Sequence, residues 1–127
     1  MRNFSILFIF LLFPVGAIQA QSRPPHIRWN QLKDTRKDTI EIKGYVFDVY
    51  ICPPCPEGAT CKPCIPNNIT LVEKKFNDPQ RVPLEGRLRV YTEQPDAFKP
   101  GDRYNFTIGR KGKQSFEYEA QLIGYRP

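Results

Sequence analysis

The sequence has few of the residues on which most enzyme active sites depend. Its 127 residues include one histidine, one tryptophan and one methionine. It contains no G-x-S-x-G motif and no glycine-rich phosphate-binding loop. The single histidine, His26, lies beside Pro24 and Pro25, so we expect it to be an exposed residue rather than a ligand. The sequence therefore predicts that the protein is not an enzyme.

Amphipathic-helix spacing is also missing, and period-two alternation of apolar and polar residues takes its place. It predicts five strands, within residues 39–51, 67–76, 84–92, 103–109 and 115–125. The core-facing residues predicted for the last three strands are Leu84, Gly86, Leu88, Val90, Tyr104, Phe106, Ile108, Phe116, Tyr118, Ala120 and Leu122. Glu117 and Glu119 share the opposite face, where we expect them to be solvated and to lie opposite arginines on neighbouring strands.

The first predicted strand changes phase at Gly44. Ile40 and Ile42 alternate with charged residues before it, whereas the apolar set after it is Tyr45, Phe47, Val49 and Ile51. A shift of one position at a glycine is typical of a β-bulge or a sharp bend. We therefore expect one long strand that bends at Gly44 and contributes to two sheet faces.

A long bent first strand followed by four more strands, with almost no helix, resembles an OB-type barrel. Five strands in one small domain must close or stack so that their edges are covered. The sequence therefore predicts an all-β fold, a small five-stranded antiparallel barrel of OB type. A small immunoglobulin-like β-sandwich is the alternative, but the chain has few strands for it. Proline-rich turns stand where OB folds often carry a helix after the third strand.

The N-terminal 20 residues have the layout of a cleavable secretory signal peptide. Arg2 precedes an apolar run from Ile6 to Phe13, and small residues follow at Ala17 and Ala20. The run is shorter than the roughly 20 residues that span a bilayer. We expect residues 1–20 to be the signal, 21–37 a leader segment, and 38–127 one domain without a membrane span. The sequence thus predicts a secreted or periplasmic protein.

All four cysteines lie in one loop, residues 52–64, as two C-x-x-C pairs: Cys52, Cys55, Cys61 and Cys64. Export into an oxidising compartment favours two disulfides. A nested pairing would staple the tip of a hairpin, although the sequence alone leaves all three connectivities open. The alternatives are a thiolate site for Zn or Cu and a thiol-redox pair. The favoured prediction is therefore a disulfide-stapled loop, with no metal and no cofactor.

The net charge alone is explained by solubility, whereas the placement of the basic residues points to binding. The net charge is +6, and loss of Arg2 with the signal leaves about +5. The candidate ligand-binding residues are Arg87, Arg89 and Tyr91 on the third strand and Arg110, Lys111 and Lys113 in the turn before the last strand. In an OB-type barrel that turn and the cysteine loop flank the ligand face. We expect an exported binding or interaction module whose partner is an unknown protein, glycan or envelope component. An exported protein seldom meets nucleic acid.

Overall fold

The computed structural model describes residues 22–112, 116 and 119–127, which form an all-β fold. The strands are β1 (Thr39–Tyr50), β2 (Asn68–Val72), β3 (Arg87–Tyr91), β4 (Arg103–Arg110) and β5 (Glu119–Arg126). Three single-turn 3-10 helices span Trp29–Gln31, Pro79–Arg81 and Pro95–Ala97. The predicted all-β class is confirmed. The predicted signal peptide, Lys113, Glu117 and Tyr118 lie outside the described residues.

The five strands form one sheet in the order β1-β2-β3-β5-β4, and this sheet closes on itself. Closure depends on β1, which pairs with two different partners along its length. Its first half, Thr39 to Tyr45, pairs with β4, and its second half, Tyr45 to Tyr50, pairs with β2. β1 is therefore long enough to pair with both β2 and β4, and this double pairing closes the sheet.

One strand pair differs from the predicted antiparallel arrangement. β3 and β5 run parallel, with Arg89 opposite Glu119 and Tyr91 opposite Gln121. The other four pairs are antiparallel. Alternation shows which face of a strand is buried and does not encode its direction, so the sequence pattern could not reveal this pairing. The sheet is therefore mixed.

The register of β1 shifts at Phe47, whereas the sequence predicts the shift at Gly44. Burial alternates without interruption through Gly44 to Val46, and the register shift in the β1–β2 pairing falls between Val46 and Asp48. Phe47 sits at this bulge and is only half buried. The prediction failed because Tyr45 and Phe47 are large apolar residues that pack on the outside of the sheet.

Leader residues 22–37 dock onto the edge of β1 that β2 leaves uncovered. Ile27 N donates a hydrogen bond to the Glu41 carbonyl oxygen (2.8 Å), and Glu41 N donates one to that of Pro25 (2.9 Å). Ile27 and Trp29 pack against the core. Glu41 lies near His26 (3.9 Å) and forms an ion pair with Arg126 (2.6 Å). His26 is thus exposed but not isolated.

The closed sheet surrounds a single apolar core. Its largest fully buried side chains are Phe106, Phe116, Ile40, Ile42, Ile69, Leu71, Leu88, Ile108, Val46 and Val90. Alternation correctly predicts that Leu88, Val90, Phe106 and Ile108 are buried. It does not predict the burial of Tyr91, which falls on the opposite face of β3 in the alternation. It fails at Leu84, which is 78% exposed because β3 begins only at Arg87.

One end of the barrel is covered by aromatic side chains rather than by a helix. Phe98, 3% exposed, follows the Pro95–Ala97 turn. Its ring centroid lies 4.6 Å from that of Tyr125 and 5.8 Å from that of Tyr104. These edge-on contacts are among the arrangements that aromatic pairs favour. A short proline-rich turn is therefore sufficient to close this end.

Candidate functional site

The strand registers place four polar side chains in one row across β1, β2, β3 and β5. Asp48 pairs with Thr70, Thr70 with Arg89, and Arg89 with Glu119. These four residues line a groove of about 330 Å³ together with Phe47, Leu84 and Arg87. We call it the outer groove. It contains two of the six predicted ligand-binding residues, Arg87 and Arg89.

The outer groove is balanced in charge. Arg89 lies 3.7 Å from Glu119, one of the carboxylates expected opposite an arginine. The second arginine, Arg87, has its guanidinium carbon 4.3 Å from the centroid of the Phe47 ring and donates a hydrogen bond to the Val82 carbonyl. The groove lining thus contains two arginines and two carboxylates, those of Asp48 and Glu119. This balance does not favour a polyanionic ligand in the groove.

Two groups in the outer groove lack the partners that such groups usually have in a folded protein, a hydrogen-bond donor and an apolar side chain. The Nε of Arg87 is buried and has no hydrogen-bond partner among the described residues. Buried donors without partners are rare in folded proteins. Leu84 is 78% exposed at the rim. Phe47 and Phe76, with ring centroids 5.1 Å apart, add aromatic surface to this region.

Tyr91 does not form the exposed aromatic platform that its position in the alternation suggests. It is 7% exposed, and the Lys111 ammonium nitrogen lies 3.4 Å from its ring centroid. Its hydroxyl donates a hydrogen bond to Oε1 of Glu119 (2.9 Å), the carboxylate near Arg89. The fold thus brings together Arg89, Tyr91 and Lys111, three of the predicted residues.

Arg110 has a different environment from Lys111. Its Nε donates to the Lys37 carbonyl oxygen (2.9 Å), and its terminal nitrogen donates to that of Thr35. Its guanidinium also lies over the buried Phe116 ring, 5.4 Å from the centroid. Arg110 therefore ties the end of the leader to β4 and is not a freely exposed cation. Lys113, the last predicted residue of this turn, lies outside the described residues.

The cysteine loop joins β1 to β2 and contains two nested disulfides, Cys52–Cys64 and Cys55–Cys61. No cysteine is free, so in this state none is a thiolate that could ligate Zn or Cu or exchange disulfides. Among the described residues no other His, Cys, Asp or Glu cluster has the arrangement of a metal site. Two disulfides in a small β domain are typical of proteins in an oxidising environment.

Asparagine side chains hold the base of this loop. Cys52 N donates to Oδ1 of Asn67 (2.8 Å), and Nδ2 of Asn68 donates to the Pro66 carbonyl oxygen (2.9 Å). Thr92 N, just beyond β3, donates to the carbonyl oxygen of Asn67 (3.1 Å). The loop therefore leaves the barrel in a fixed direction, close to the Tyr91 end of β3.

Comparisons with known proteins give no relative for this arrangement. No protein-family model matches the chain, and neither a curated protein nor a solved structure is significantly similar to it. Within the described part of the chain, no helix has both the length and the apolar character needed to cross a membrane. Function must therefore be argued from the chemistry of the surface.

Sequence reasoning missed Phe47, Asp48, Thr70 and Leu84 as groove residues. Phe47 and Leu84 were assigned to the core because they are large and apolar, and the other two carry no motif. A usable signal was the second set of apolar residues in the first strand. A strand with apolar side chains on both faces has more than one surface to cover.

Proposed function

We propose that the protein is an exported, non-enzymatic binding module with an OB-type barrel, whose outer groove binds neutral oligosaccharide. Export is supported by the layout of residues 1–20 and by the two disulfides. The OB-type assignment is supported by the strand order β1-β2-β3-β5-β4 and by a β1 that pairs at both ends of the sheet. In such barrels the outer face of β2 and β3 binds oligonucleotides or oligosaccharides.

The composition of the outer groove is the observation that carries the ligand class. Two arginines and two carboxylates supply donors and acceptors without net charge, which suits sugar hydroxyls better than phosphates. The exposed side chain of Leu84 supplies apolar surface for a sugar ring.

A microarray of neutral gluco-, manno- and galacto-oligosaccharides, probed with the purified exported protein, tests this proposal. We expect binding to at least one neutral series, and titration calorimetry with that oligosaccharide then compares variants. Leu84→Ser should weaken binding roughly tenfold or more, since it removes an apolar contact worth on the order of 1.5–3 kcal/mol when fully buried.

Ile123→Ser is the matched control, because Ile123 is also an exposed apolar side chain (59%) but lies on β5, outside the groove. It should bind as the wild type does. Absence of binding to every neutral series, or equal weakening by both variants, would rule out the outer groove as a site for neutral oligosaccharide.

A further inference from the structure

A second groove, on a different part of the surface, has the opposite electrostatic character. It is about 450 Å³ in volume and lies between the leader, β1 and the start of β4. Its lining includes the cations Arg28, Lys43 and Arg103 with the indole of Trp29, and Glu73 is the one carboxylate. We call it the leader groove. It shares no lining residue with the outer groove.

The three cations are available to a ligand. Arg28, Lys43 and Arg103 are all exposed, and none of them forms an ion pair with any carboxylate of residues 22–112, 116 and 119–127. This distinguishes them from Arg89, Arg110 and Arg126, which all lie near carboxylates. Three unneutralised cations around one concavity concentrate positive potential there.

The position of Trp29 is built into the fold. Its Nε1 donates a hydrogen bond to the carbonyl oxygen of Lys43 (2.7 Å), the same residue whose side chain lines the groove. Its ring packs over Gly44, where a Cβ would lie 3.0 Å from Cζ2 of the indole. The leader backbone is bonded to β1 at Pro25 and Ile27, which fixes Arg28 beside this ring. The indole and the backbone that carries Arg28 and Lys43 are therefore held in place before any ligand arrives.

We propose that the leader groove binds an anionic polysaccharide, one whose sulfates or carboxylates repeat along the chain. Repeated anions match three cations spread over the leader, β1 and β4. The half-buried indole offers an apolar face for a sugar ring, as partly exposed aromatic side chains commonly do. The signal-like N-terminus directs the choice toward polysaccharide, because exported proteins meet such polymers and seldom meet nucleic acid. This site is independent of the outer groove, so either proposal can fail alone.

Trp29 is the only tryptophan in the sequence, and it therefore reports on this groove directly. We would titrate the purified exported protein with a heparin hexasaccharide, a sulfated polysaccharide fragment, and follow tryptophan fluorescence. The expected result is a saturable change whose apparent affinity falls steeply with added salt, because counterions are released on binding. No saturable change at low salt would overturn the proposal.

A charge-matched pair of triple variants separates a site from a general effect of basic charge. Arg28→Gln, Lys43→Gln and Arg103→Gln together should weaken heparin binding roughly tenfold or more and reduce its salt dependence. The control triple, Lys62→Gln, Lys75→Gln and Lys99→Gln, removes three exposed cations elsewhere and should stay close to wild type. Equal weakening by the two triples would mean that binding follows net charge alone and would overturn the site.

Two further measurements complete the test. The leader-groove triple variant should have the same free energy of unfolding in urea as the wild type, since all three side chains are exposed. If the triple variant is less stable, heparin binding is measured with the single variant Arg103→Gln instead. Leu84→Ser, which alters only the outer groove, should leave heparin binding unchanged. Tighter binding of single-stranded DNA than of heparin at equal salt would assign the groove to nucleic acid and overturn the polysaccharide.

Discussion

The indole of Trp29 lies directly over Gly44, close enough that a Cβ beneath it would require the indole to shift. A Cβ at Gly44 would approach Cζ2 of Trp29 to 3.0 Å and the Val72 carbonyl oxygen to 3.2 Å. The glycine therefore matters here for space, since its φ is not positive. This contact joins the leader to the barrel.

Gly44→Ala is expected to displace Trp29 and to lower the free energy of unfolding by about 1–3 kcal/mol, the usual cost of overpacking. A red shift of tryptophan emission and a urea unfolding curve would measure both effects. Gly124→Ala is the control, because a Cβ there meets no atom within 4 Å. A Gly44→Ala protein with unchanged emission and unchanged stability would contradict the proposed contact.

Arg110→Ala should destabilise the protein by about 1.5–3 kcal/mol. The variant loses hydrogen bonds from a charged guanidinium to the carbonyl oxygens of Thr35 and Lys37, in a side chain only 19% exposed. Arg81→Ala is the comparison, since Arg81 is 88% exposed and should change stability by no more than about 0.5 kcal/mol. Similar losses for the two variants in urea unfolding would show that Arg110 does not anchor the leader.

The two disulfides are expected to contribute unequally to stability. Their sequence separations of 12 and 6 correspond to about 2.8 and about 2.2 kcal/mol when each bridge acts alone. Each acts on a loop already shortened by the other, so the measured costs should be smaller. The double variant Cys52→Ser/Cys64→Ser should lose more than Cys55→Ser/Cys61→Ser, since the outer bridge also holds the base of the loop. Calorimetric melting would measure the order, and a larger loss from the inner pair would contradict it.

Stability should fall at alkaline pH because of Tyr104. Burial, and then the neighbouring Asp102, raise the pKa of this phenol above its ordinary value of 10.0. A group whose pKa is higher in the folded than in the unfolded state contributes stability that is complete below pH 10 and is lost as the pH rises through the folded pKa. Tyr104→Phe should therefore lose less stability than the wild type between pH 9 and pH 11. A parallel decline in both proteins, measured by urea unfolding, would exclude this tyrosine as the cause.

The core residues were predictable from the sequence wherever one face of a strand is buried and the other is exposed to solvent. Leu88, Val90, Phe106 and Ile108 follow this rule and are buried as expected. The rule failed at Phe47, because an aromatic side chain can also be covered from outside, here by Arg87 and Phe76. Alternation shows that a side chain is apolar, but it does not show whether the core or other surface side chains bury it.

The grooves were less predictable, because they join residues that are distant in the sequence. Arg28, Lys43 and Arg103 have no spacing in common and meet only because the leader and β4 both lie beside β1. Arg110 and Lys111 are adjacent in sequence and similar in chemistry, yet one binds carbonyl oxygens of the leader and the other covers Tyr91. Their different roles depend on strand pairing and not on composition.

The nested bridges have a consequence for the order of folding. Tyr50 and Asn68 pair at the far end of β1 and β2, with the whole cysteine loop between them. Once the outer bridge has formed, the covalent path between these residues is much shorter, and the entropy lost in closing it falls accordingly. The β1–β2 pair then behaves as a local contact, whereas the β1–β4 and β3–β5 pairs must still join distant parts of the chain. Oxidation of the loop should therefore speed the pairing of β1 with β2 and give no direct gain to the pairs that join distant parts of the chain.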